Sequence, residues 1–258
     1  MPRRPAPKAL LKRLSIGAAA LAVLAGMVWI SRAQPVQQLV PLPAAEAIGP
    51  GVGIKVSPLD GSEATSCTAG FLVRTKTGQP GLLSAGHCNE GGPGTVAIHH
   101  GALYPTVGTF TASAYDAKRG TNIGFITVDH PDKIPLFSEV DGHPVAGVAD
   151  TVKVGDTLCH FGSRSGEPMC GPVSATGKNT VSFAAAVSCG DAGGPAYRVR
   201  PDGTAEAVGI LTTADDTTAD DATAADAETA CEEPQEISTV QLIKPWLHTW
   251  QLTLVTST

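Results

Sequence analysis

Two short motifs contain the residue types that could do chemistry in this chain. The first, LLSAGHC at residues 82–88, contains His87, and an imidazole can accept or donate a proton near neutral pH. The second, GDAGGP at residues 190–195, is a glycine-rich turn, and glycine lets a backbone turn sharply and come close to a ligand. A histidine beside a cysteine is ordinary in half-buried segments, so the hexamer is the more specific of the two signals.

The cysteines indicate in which compartment the chain folds. There are six of them, an even number, and all follow the apolar N-terminal segment. In an oxidising compartment this pattern predicts three disulfides, although counting alone leaves their pairing open. None of the spacings is typical of a zinc site, so we expect no metal and no cofactor. The six are Cys67, Cys88, Cys159, Cys170, Cys189 and Cys231.

The order of these motifs and cysteines resembles that of the chymotrypsin-like serine proteases, and in particular their bacterial streptogrisin-like branch. The resemblance extends over roughly residues 48–250. It rests on CTAGFLV at 67–73, LLSAGHC, LCHFGSRSGEPMCG at 158–171, SCGDAGGP at 188–195 and Cys231. It implies the disulfides Cys67–Cys88, Cys159–Cys170 and Cys189–Cys231. It also implies an all-β fold of two antiparallel six-stranded β-barrels with a C-terminal helix, and an active site in the cleft between the barrels.

The family's chemistry shows what this chain lacks. In such proteases a histidine takes the proton of a serine hydroxyl, a buried carboxylate orients the histidine, and backbone N–H groups hold the oxyanion. The resemblance makes His87 the base and the N–H groups of Gly190 and Ala192 the oxyanion hole. It places Ala192 at the nucleophile position, where a methyl group cannot attack a carbonyl carbon. Loss of the nucleophile costs about a million-fold in turnover in a comparable protease.

The orienting acid is also missing. The family places it at the start of a strand after the histidine, and the best match is the segment Asn122-Ile-Gly-Phe-Ile. An amide there can favour the wrong histidine tautomer and cannot stabilise an imidazolium, which costs about ten-thousand-fold in a comparable protease. Asp116 and Asp129 flank the segment and are the alternative acids.

The specificity pocket is predicted from the same resemblance. Ala185 and Ala186 fall near the residues that line it in relatives, and Gly209, Ile210 and Leu211 form the opposite wall. This composition predicts a pocket for a small or apolar side chain. Asp191 pairs with a freed N-terminus in activated animal relatives. Because no activation site is evident here, we expect it to bind a different partner.

The elements that must position these residues are short and β-rich. Short β-rich segments recur between clusters of Gly, Pro, Asn and Asp, which is typical of a barrel or sandwich. A proline-containing passage at 130–150 divides them into two groups, and a near-helical spacing of Val240, Ile243, Leu247 and Trp250 predicts a C-terminal helix. The predicted division is 1–33 signal peptide or membrane anchor, 34–47 proline-rich lead-in, 48–135 N-terminal barrel, 136–236 C-terminal barrel and 237–258 C-terminal helix and tail.

The N-terminal segment predicts export. Five basic residues precede an uncharged apolar run at 16–30, and Ala33 follows as a plausible cleavage position. The run is long for a leader and short for a span, so an uncleaved anchor is the alternative. We therefore expect a secreted protein, with a membrane contact only through this segment if it stays attached.

The charge balance restricts the partners. Removal of residues 1–33 would leave 12 basic residues against 24 acidic ones. An acidic surface repels phosphate backbones, so we expect no nucleic acid partner. Eight of the acids lie between residues 214 and 234, which predicts a solvated loop, with a calcium site as the alternative. The expected partner is a peptide or protein bound in the cleft, and the expected state is a monomer.

Three functions remain in competition. The first is a protease homologue without activity that binds peptides or proteins. The second is an active serine endopeptidase whose serine has been exchanged for Ala192 by design. Such a design would give no reason for an asparagine at position 122. The third is a hydrolase that uses Ser163, Ser165 or Ser188 as its nucleophile, for which nothing in the sequence places a serine beside His87.

Overall fold

The structure, a computed structural model, describes residues 43–89, 93–212 and 235–257. They form two β-sheets, two short 3-10 helices and one short α-helix. The strands of the first sheet are β1 (Gly53–Pro58), β2 (Thr65–Thr68), β3 (Leu72–Arg74), β4 (Pro80–Ser84), β5 (Gly94–Ile98), β6 (Thr106–Asp116), β7 (Thr121–Val128) and β16 (Thr253–Leu254). Those of the second are β8 (Glu139–Val140), β9 (His143–Val148), β10 (Thr157–Phe161), β11 (Pro168–Thr176), β12 (Thr180–Phe183), β13 (Pro195–Val199), β14 (Ala205–Thr212) and β15 (Ser238–Leu242).

The first sheet has the order β16-β3-β4-β7-β6-β5-β1-β2. The strands β2 and β3 are consecutive in the chain, but β2 pairs with β1 at one end of the sheet and β3 pairs with β16 and β4 near the other end. The bend between them carries hydrogen bonds to both sides, from the Ala69 N–H to Val52 and from the Gly70 N–H to Leu83. A side chain on Gly70 would overlap Ile210, so the bend needs glycine there. The bend thereby curves the sheet into the first barrel.

The second sheet closes on itself. Its order is β13-β10-β11-β12-β15-β14-β9-β8, and an additional pairing of β13 with β14 completes a six-stranded barrel. All pairings in the barrel are antiparallel, while β9 lies parallel to β14 outside it. The prediction of an all-β, two-barrel fold is therefore confirmed.

The apolar side chains fill three layers of this architecture. One cluster lies inside the first barrel, and another lies inside the second. The third joins the barrels, because it combines Phe71 and Ile123 from the first with Tyr197 and Ile210 from the second. Burial of this interface fixes the relative position of the barrels and of the residues that line the cleft between them.

Two predictions about the elements need correction. The helix predicted from the spacing of Val240 to Trp250 is limited to α1 (Lys244–Thr249), with Pro245 in its first turn. Val240 instead lies in β15, where it is fully buried and pairs with Val181 and Leu211. Residues 237–257 thus contain the barrel strand β15, the short helix α1 and the strand β16, not only a helix and tail. The proline-containing passage 130–150, which from the sequence we expect to separate the two groups of strands, itself contains β8 and β9.

Candidate active site

His87 is held at the mouth of the first barrel by covalent and steric constraints. It lies in a 3-10 helix, Gly86–Asn89, that follows the fully buried strand β4. The disulfide Cys67–Cys88 ties the next residue to β2. Because Gly86 has no side chain, β6 can pack closely here. A methyl group on Gly86 would come within 2.8 Å of the Ala114 carbonyl oxygen. The Tyr115 ring packs against the imidazole in a T-shaped arrangement, with 6.0 Å between the ring centroids.

Asn122 lies directly behind the imidazole. It is the second residue of β7, is 3% exposed, and places its side-chain nitrogen Nδ2 2.8 Å from His87 Nδ1. Its oxygen Oδ1 accepts a hydrogen bond of 3.1 Å from the backbone N–H of His87. Its own N–H donates to Oε1 of Gln241, which lies on β15 of the other barrel. The prediction that Asn122 faces His87 agrees with this geometry.

The two flanking aspartates have other partners. Asp116 accepts a hydrogen bond from the Arg119 N–H and caps the 3-10 helix Ala117–Arg119. Asp129 accepts a hydrogen bond from the Thr109 hydroxyl. The structure therefore brings Asn122, and neither of these acids, to Nδ1 of the histidine.

The hydrogen bonds of Asn122 determine which nitrogen of His87 carries the proton. A backbone N–H can only donate, so the atom that faces it must be the amide oxygen Oδ1. The amide nitrogen Nδ2 then faces Nδ1 of His87 and donates to it, so Nδ1 must be the unprotonated acceptor. In the neutral ring the proton consequently lies on Nε2. A general base for a serine hydroxyl needs the lone pair on Nε2.

The second half of the site is the turn at residues 190–194, which we call the donor turn. Its centre is Asp191, a carboxylate with 0% exposure. Its Oδ1 accepts from the backbone N–H groups of Arg164 and Ser165, each at 2.9 Å. Its Oδ2 accepts from the Ser188 N–H at 3.0 Å and from the Ser165 hydroxyl. This set of bonds satisfies the buried charge and confirms the expectation of a partner other than an N-terminus.

The backbone of the donor turn is shaped by glycine and by a hydroxyl from the other barrel. Gly190 and Gly193 have φ of 95° and 90°, a region that other residues rarely adopt. The Thr68 hydroxyl donates to the Gly190 carbonyl oxygen at 2.7 Å. It also accepts from the Ser163 N–H at 3.0 Å. This contact fixes the Gly190–Asp191 peptide and holds the donor turn against β2.

Ala192 is the residue of the donor turn that packs against the segment around His87. It is 1% exposed and packs in the same buried cluster as Ala85 and Cys88, the neighbours of His87 in the chain. Its carbonyl oxygen accepts from the Thr68 N–H at 2.8 Å, and Thr68 follows the disulfide that holds Cys88. These contacts hold the donor turn against the segment that carries His87, and the side chain at position 192 of that turn is a methyl group.

The residues predicted to form a specificity pocket do not share one cluster. Ala185 and Leu211 pack inside the second barrel, whereas Ile210 packs between the barrels, because neighbours on a strand point to opposite faces. Gly209 lies beside them in β14 and pairs with Leu242. Ala186 is half-buried, and its carbonyl oxygen lies 2.8 Å from Nε2 of His160. The pocket stays a prediction.

His160 is a buried histidine that the sequence reasoning missed. It is 0% exposed, and burial is the main cause that lowers its pKa, against the opposing effects of the Ala186 carbonyl and of Asp191. Because Ala186 is an acceptor, Nε2 carries the proton, and Nδ1 has no hydrogen-bond partner among the described residues. In the sequence, its burial was indicated by its position between Leu158 and Phe161 in a short apolar run.

The alternative nucleophiles have structural partners. The Ser165 hydroxyl donates to Asp191, and the Ser163 hydroxyl lies 2.9 Å from that of Thr68. Ser188 contributes its N–H to the same carboxylate. One group of metal-binding residue types occurs in the described part of the chain, Cys67, His87 and Cys88, but both sulfurs belong to a disulfide and are not thiolate ligands.

Two of the three predicted disulfides are confirmed. Cys67 is bonded to Cys88, and Cys159 is bonded to Cys170. Cys189 is also in a disulfide, and its predicted partner Cys231 lies outside the described residues. The same holds for the leader at 1–33 and the acidic segment at 214–234. Among the described residues, no helix combines the length and the apolar character that a membrane crossing requires.

Comparison with solved structures identifies the architecture. The Nocardiopsis protease matches at 22% identity with a TM-score of 0.56, over 81% of this chain and 98% of its own. The Thermobifida fusca protease A matches at 22% with 0.57, over 82% and 100%. The Cellulomonas bogoriensis chymotrypsin matches at 20% with 0.56, again over 82% and 100%. These identities show a common fold. No family model and no curated protein matches the sequence.

Proposed function

We propose that this chain is an exported, chymotrypsin-like protease homologue without peptidase activity, which binds peptide or protein segments in the cleft between its barrels. The observation that supports this most directly is the pair of substitutions at one site, Ala192 in the donor turn and Asn122 behind His87. The first removes the attacking atom, and the second puts the proton on the wrong nitrogen of the base. In comparable proteases the loss of the nucleophile costs about a million-fold in turnover, and an amide in place of the orienting acid costs about ten-thousand-fold.

The cleft itself supports binding. The interface between the barrels is packed, the donor turn is fixed by the buried Asp191, and the turn's backbone is still shaped as a cradle for an oxygen atom. Such a site keeps the ability to hold a peptide carbonyl after the chemistry is lost, because the oxyanion hole and the binding surface act independently of the nucleophile.

The test is a measurement on the chain with its sequence unchanged. We expect no labelling by a fluorophosphonate probe and no hydrolysis of a general peptide substrate mixture, while the same peptides bind in equilibrium dialysis. The control is His87→Ala, which should hydrolyse no less than the unchanged chain. Peptide hydrolysis that His87→Ala abolishes would contradict the proposal, and so would an acyl adduct on any serine.

A second candidate is an endopeptidase whose serine was exchanged for Ala192 by design. The observation in its favour is the completeness of the donor turn, which is what an active protease needs. It predicts that Ala192→Ser alone gives rapid turnover, because a designed exchange would leave an otherwise functional site. The Asn122 amide, which donates to Nδ1 of His87, predicts the opposite.

Export is the second part of the proposal. Its support is the basic and apolar N-terminal sequence together with disulfides, which persist in oxidising compartments. Cell fractionation followed by mass determination of the exported protein tests it. A mass that corresponds to loss of residues 1–33 supports a cleaved leader, and an intact chain in the membrane fraction supports the anchor.

A further inference from the structure

A partly enclosed pocket lies at one end of the second barrel, away from the candidate active site. Its volume is about 120 Å³. Along β14 the donor turn contacts Leu211, whose carbonyl oxygen accepts from the Gly193 N–H, whereas the pocket is lined by Val208, earlier in the strand. On β15 it is lined by Leu242, the last residue of that strand. The pocket is therefore separate from the cleft that the proposed function uses.

The walls of this pocket are apolar side chains of the barrel interior. Val181 and Val208 are each 2% exposed and belong to the cluster that fills the second barrel. Leu242 and Val152 are partly buried and pack against the same cluster. Ala149 lines the pocket with only a methyl group, which leaves the barrel end unfilled. Since an apolar cavity of about 150 Å³ in another protein stays dry and binds benzene, walls of this kind favour a short hydrocarbon group.

The rim of the pocket is basic. Lys244, the first residue of α1, donates to Asp150 Oδ1 at 2.9 Å, and both residues line the pocket. Both side chains are exposed, so this ion pair contributes little to stability and Lys244 can exchange Asp150 for another anion at low cost. Lys153 and Lys178 each follow a lining residue in the chain, and neither makes an ion pair in the part of the chain that the structure describes. Three lysines thus surround a pocket to which one acid contributes.

We propose that this pocket binds a short, unbranched aliphatic carboxylate. Its hydrocarbon chain would lie between Val181, Val208 and Leu242, and its carboxylate would lie at the rim beside Lys244. The formal net charge of the chain is −6, so the attraction of an anion to this place comes from the local lysines and not from the overall field. This site goes beyond the proposed function and does not depend on it, because the pocket shares no residue with the donor turn or with the pair of His87 and Asn122.

The size of the pocket predicts how affinity depends on chain length. Each methylene that leaves water for an apolar pocket increases affinity about fourfold. The pocket is somewhat smaller than a cavity that holds benzene, so roughly five carbons should fill it. We therefore expect the affinity to rise by about this factor per methylene from propanoate to pentanoate and to level off for longer chains.

The test is a titration of the full exported chain at pH 7 with the series from propanoate to heptanoate. Carbon-13 methyl signals of Val181, Val208 and Leu242 report on the walls of the pocket and should shift together. Pentanol and pentylammonium are the comparison ligands with the same hydrocarbon chain. We expect pentanoate to bind up to about fivefold more tightly than pentanol, the range of an exposed ion pair, and pentylammonium to bind most weakly.

Three variants test the assigned residues. Ala149→Leu fills the pocket and should abolish binding, whereas Ala149→Val fills part of it and should move the plateau to a shorter chain. Should the leucine variant fold poorly, the shifted plateau of the valine variant still tests the walls. Lys244→Gln should reduce the preference for pentanoate over pentanol and leave the dependence on chain length unchanged. Lys76→Gln is the matched control, because this lysine lies between β3 and β4 of the first sheet, and it should change neither.

Each outcome supports or overturns the site. Equal affinity for all chain lengths would mean that the lysines bind anions at the surface alone, which overturns the pocket. Equal binding of pentanoate and pentanol overturns the role of the lysines. A dependence on chain length that survives Ala149→Leu places the ligand elsewhere and overturns the assignment. None of these results bears on peptide binding in the cleft, so failure of this inference is distinguishable from failure of the proposed function.

Discussion

The donor turn and the pair formed by His87 and Asn122 are held in different ways. In the donor turn the buried carboxylate of Asp191 accepts four hydrogen bonds. In the pair of His87 and Asn122 the atoms are in place, but the direction of the hydrogen bond is reversed. A buried carboxylate thus anchors the donor turn, whereas an amide faces the imidazole of His87.

The difference shows which parts of an active site the fold itself requires. Asp191 connects the donor turn to Arg164 and Ser165, so its loss would leave their N–H groups without this acceptor. A serine hydroxyl at position 192 and an acid at position 122 serve the reaction more than the fold. They can be replaced by residues of similar size at small cost in stability.

The largest expected effect comes from restoring the reaction. We expect Ala192→Ser alone to remain nearly inactive, because Asn122 keeps the proton on Nε2. Ala192→Ser combined with Asn122→Asp should exceed the single variant by about 10⁴-fold in turnover, the cost of the wrong tautomer in a comparable protease. The measurement is kcat/KM on a peptide anilide together with the rate of fluorophosphonate labelling.

The control for this experiment adds His87→Ala to the double variant, which should abolish the restored activity. Rapid turnover by Ala192→Ser alone would show that Asn122 does not limit the reaction. The contrast between the two halves of the site would then reduce to a single missing hydroxyl.

The next effect is on stability and concerns Asp191. Asp191→Ala removes the acceptor of three partly buried backbone N–H groups and of one hydroxyl, at about 1–3 kcal/mol for each group left unsatisfied. We expect a loss of more than about 3 kcal/mol in the free energy of unfolding, measured by urea denaturation. Asp202→Ala is the matched control, because this exposed aspartate also accepts two hydrogen bonds yet lies in a surface turn. A similar cost for both variants would mean that the donor turn is not a structural requirement.

A smaller effect is expected at the contact between the barrels. Thr68→Val keeps the shape of the side chain but removes the hydroxyl that binds the Gly190 carbonyl oxygen and the Ser163 N–H. We expect a loss of about 2 kcal/mol and broadened amide signals for Gly190. Thr77→Val is the control, because its hydroxyl bonds only to an exposed neighbour. Unchanged signals in Thr68→Val would show that the donor turn holds its shape without β2.

The sequence predicted those parts of the site that depend on local motifs. His87, Ala192 and two disulfides lie where the order of motifs placed them, and Asn122 faces the histidine. Thr68 and Gln241 were missed, because a polar residue on a strand looks ordinary until the fold brings its partner from 122 or 119 residues away. The strand β15 was missed for the same reason. Val240 fits a helical spacing in the sequence, but its environment is set by pairing with two distant strands.

The smallest effect is a pH dependence from His160. Its burial lowers its pKa below that of the unfolded chain, so the unfolded state binds more protons at pH values just below the unfolded pKa of about 6.5. Stability should therefore be full above that pH and fall on acidification, by at most about 1.4 kcal/mol per pH unit for one proton. Unfolding free energies measured between pH 7.5 and about 5, above the range in which carboxylates titrate, should show this slope.

His160→Gln should flatten the slope, because glutamine can still donate to the Ala186 carbonyl oxygen but does not titrate in this range. His248→Gln, which removes a histidine from the exposed face of α1, is the control and should keep it. A slope of equal size in both variants would assign the acid sensitivity to another group.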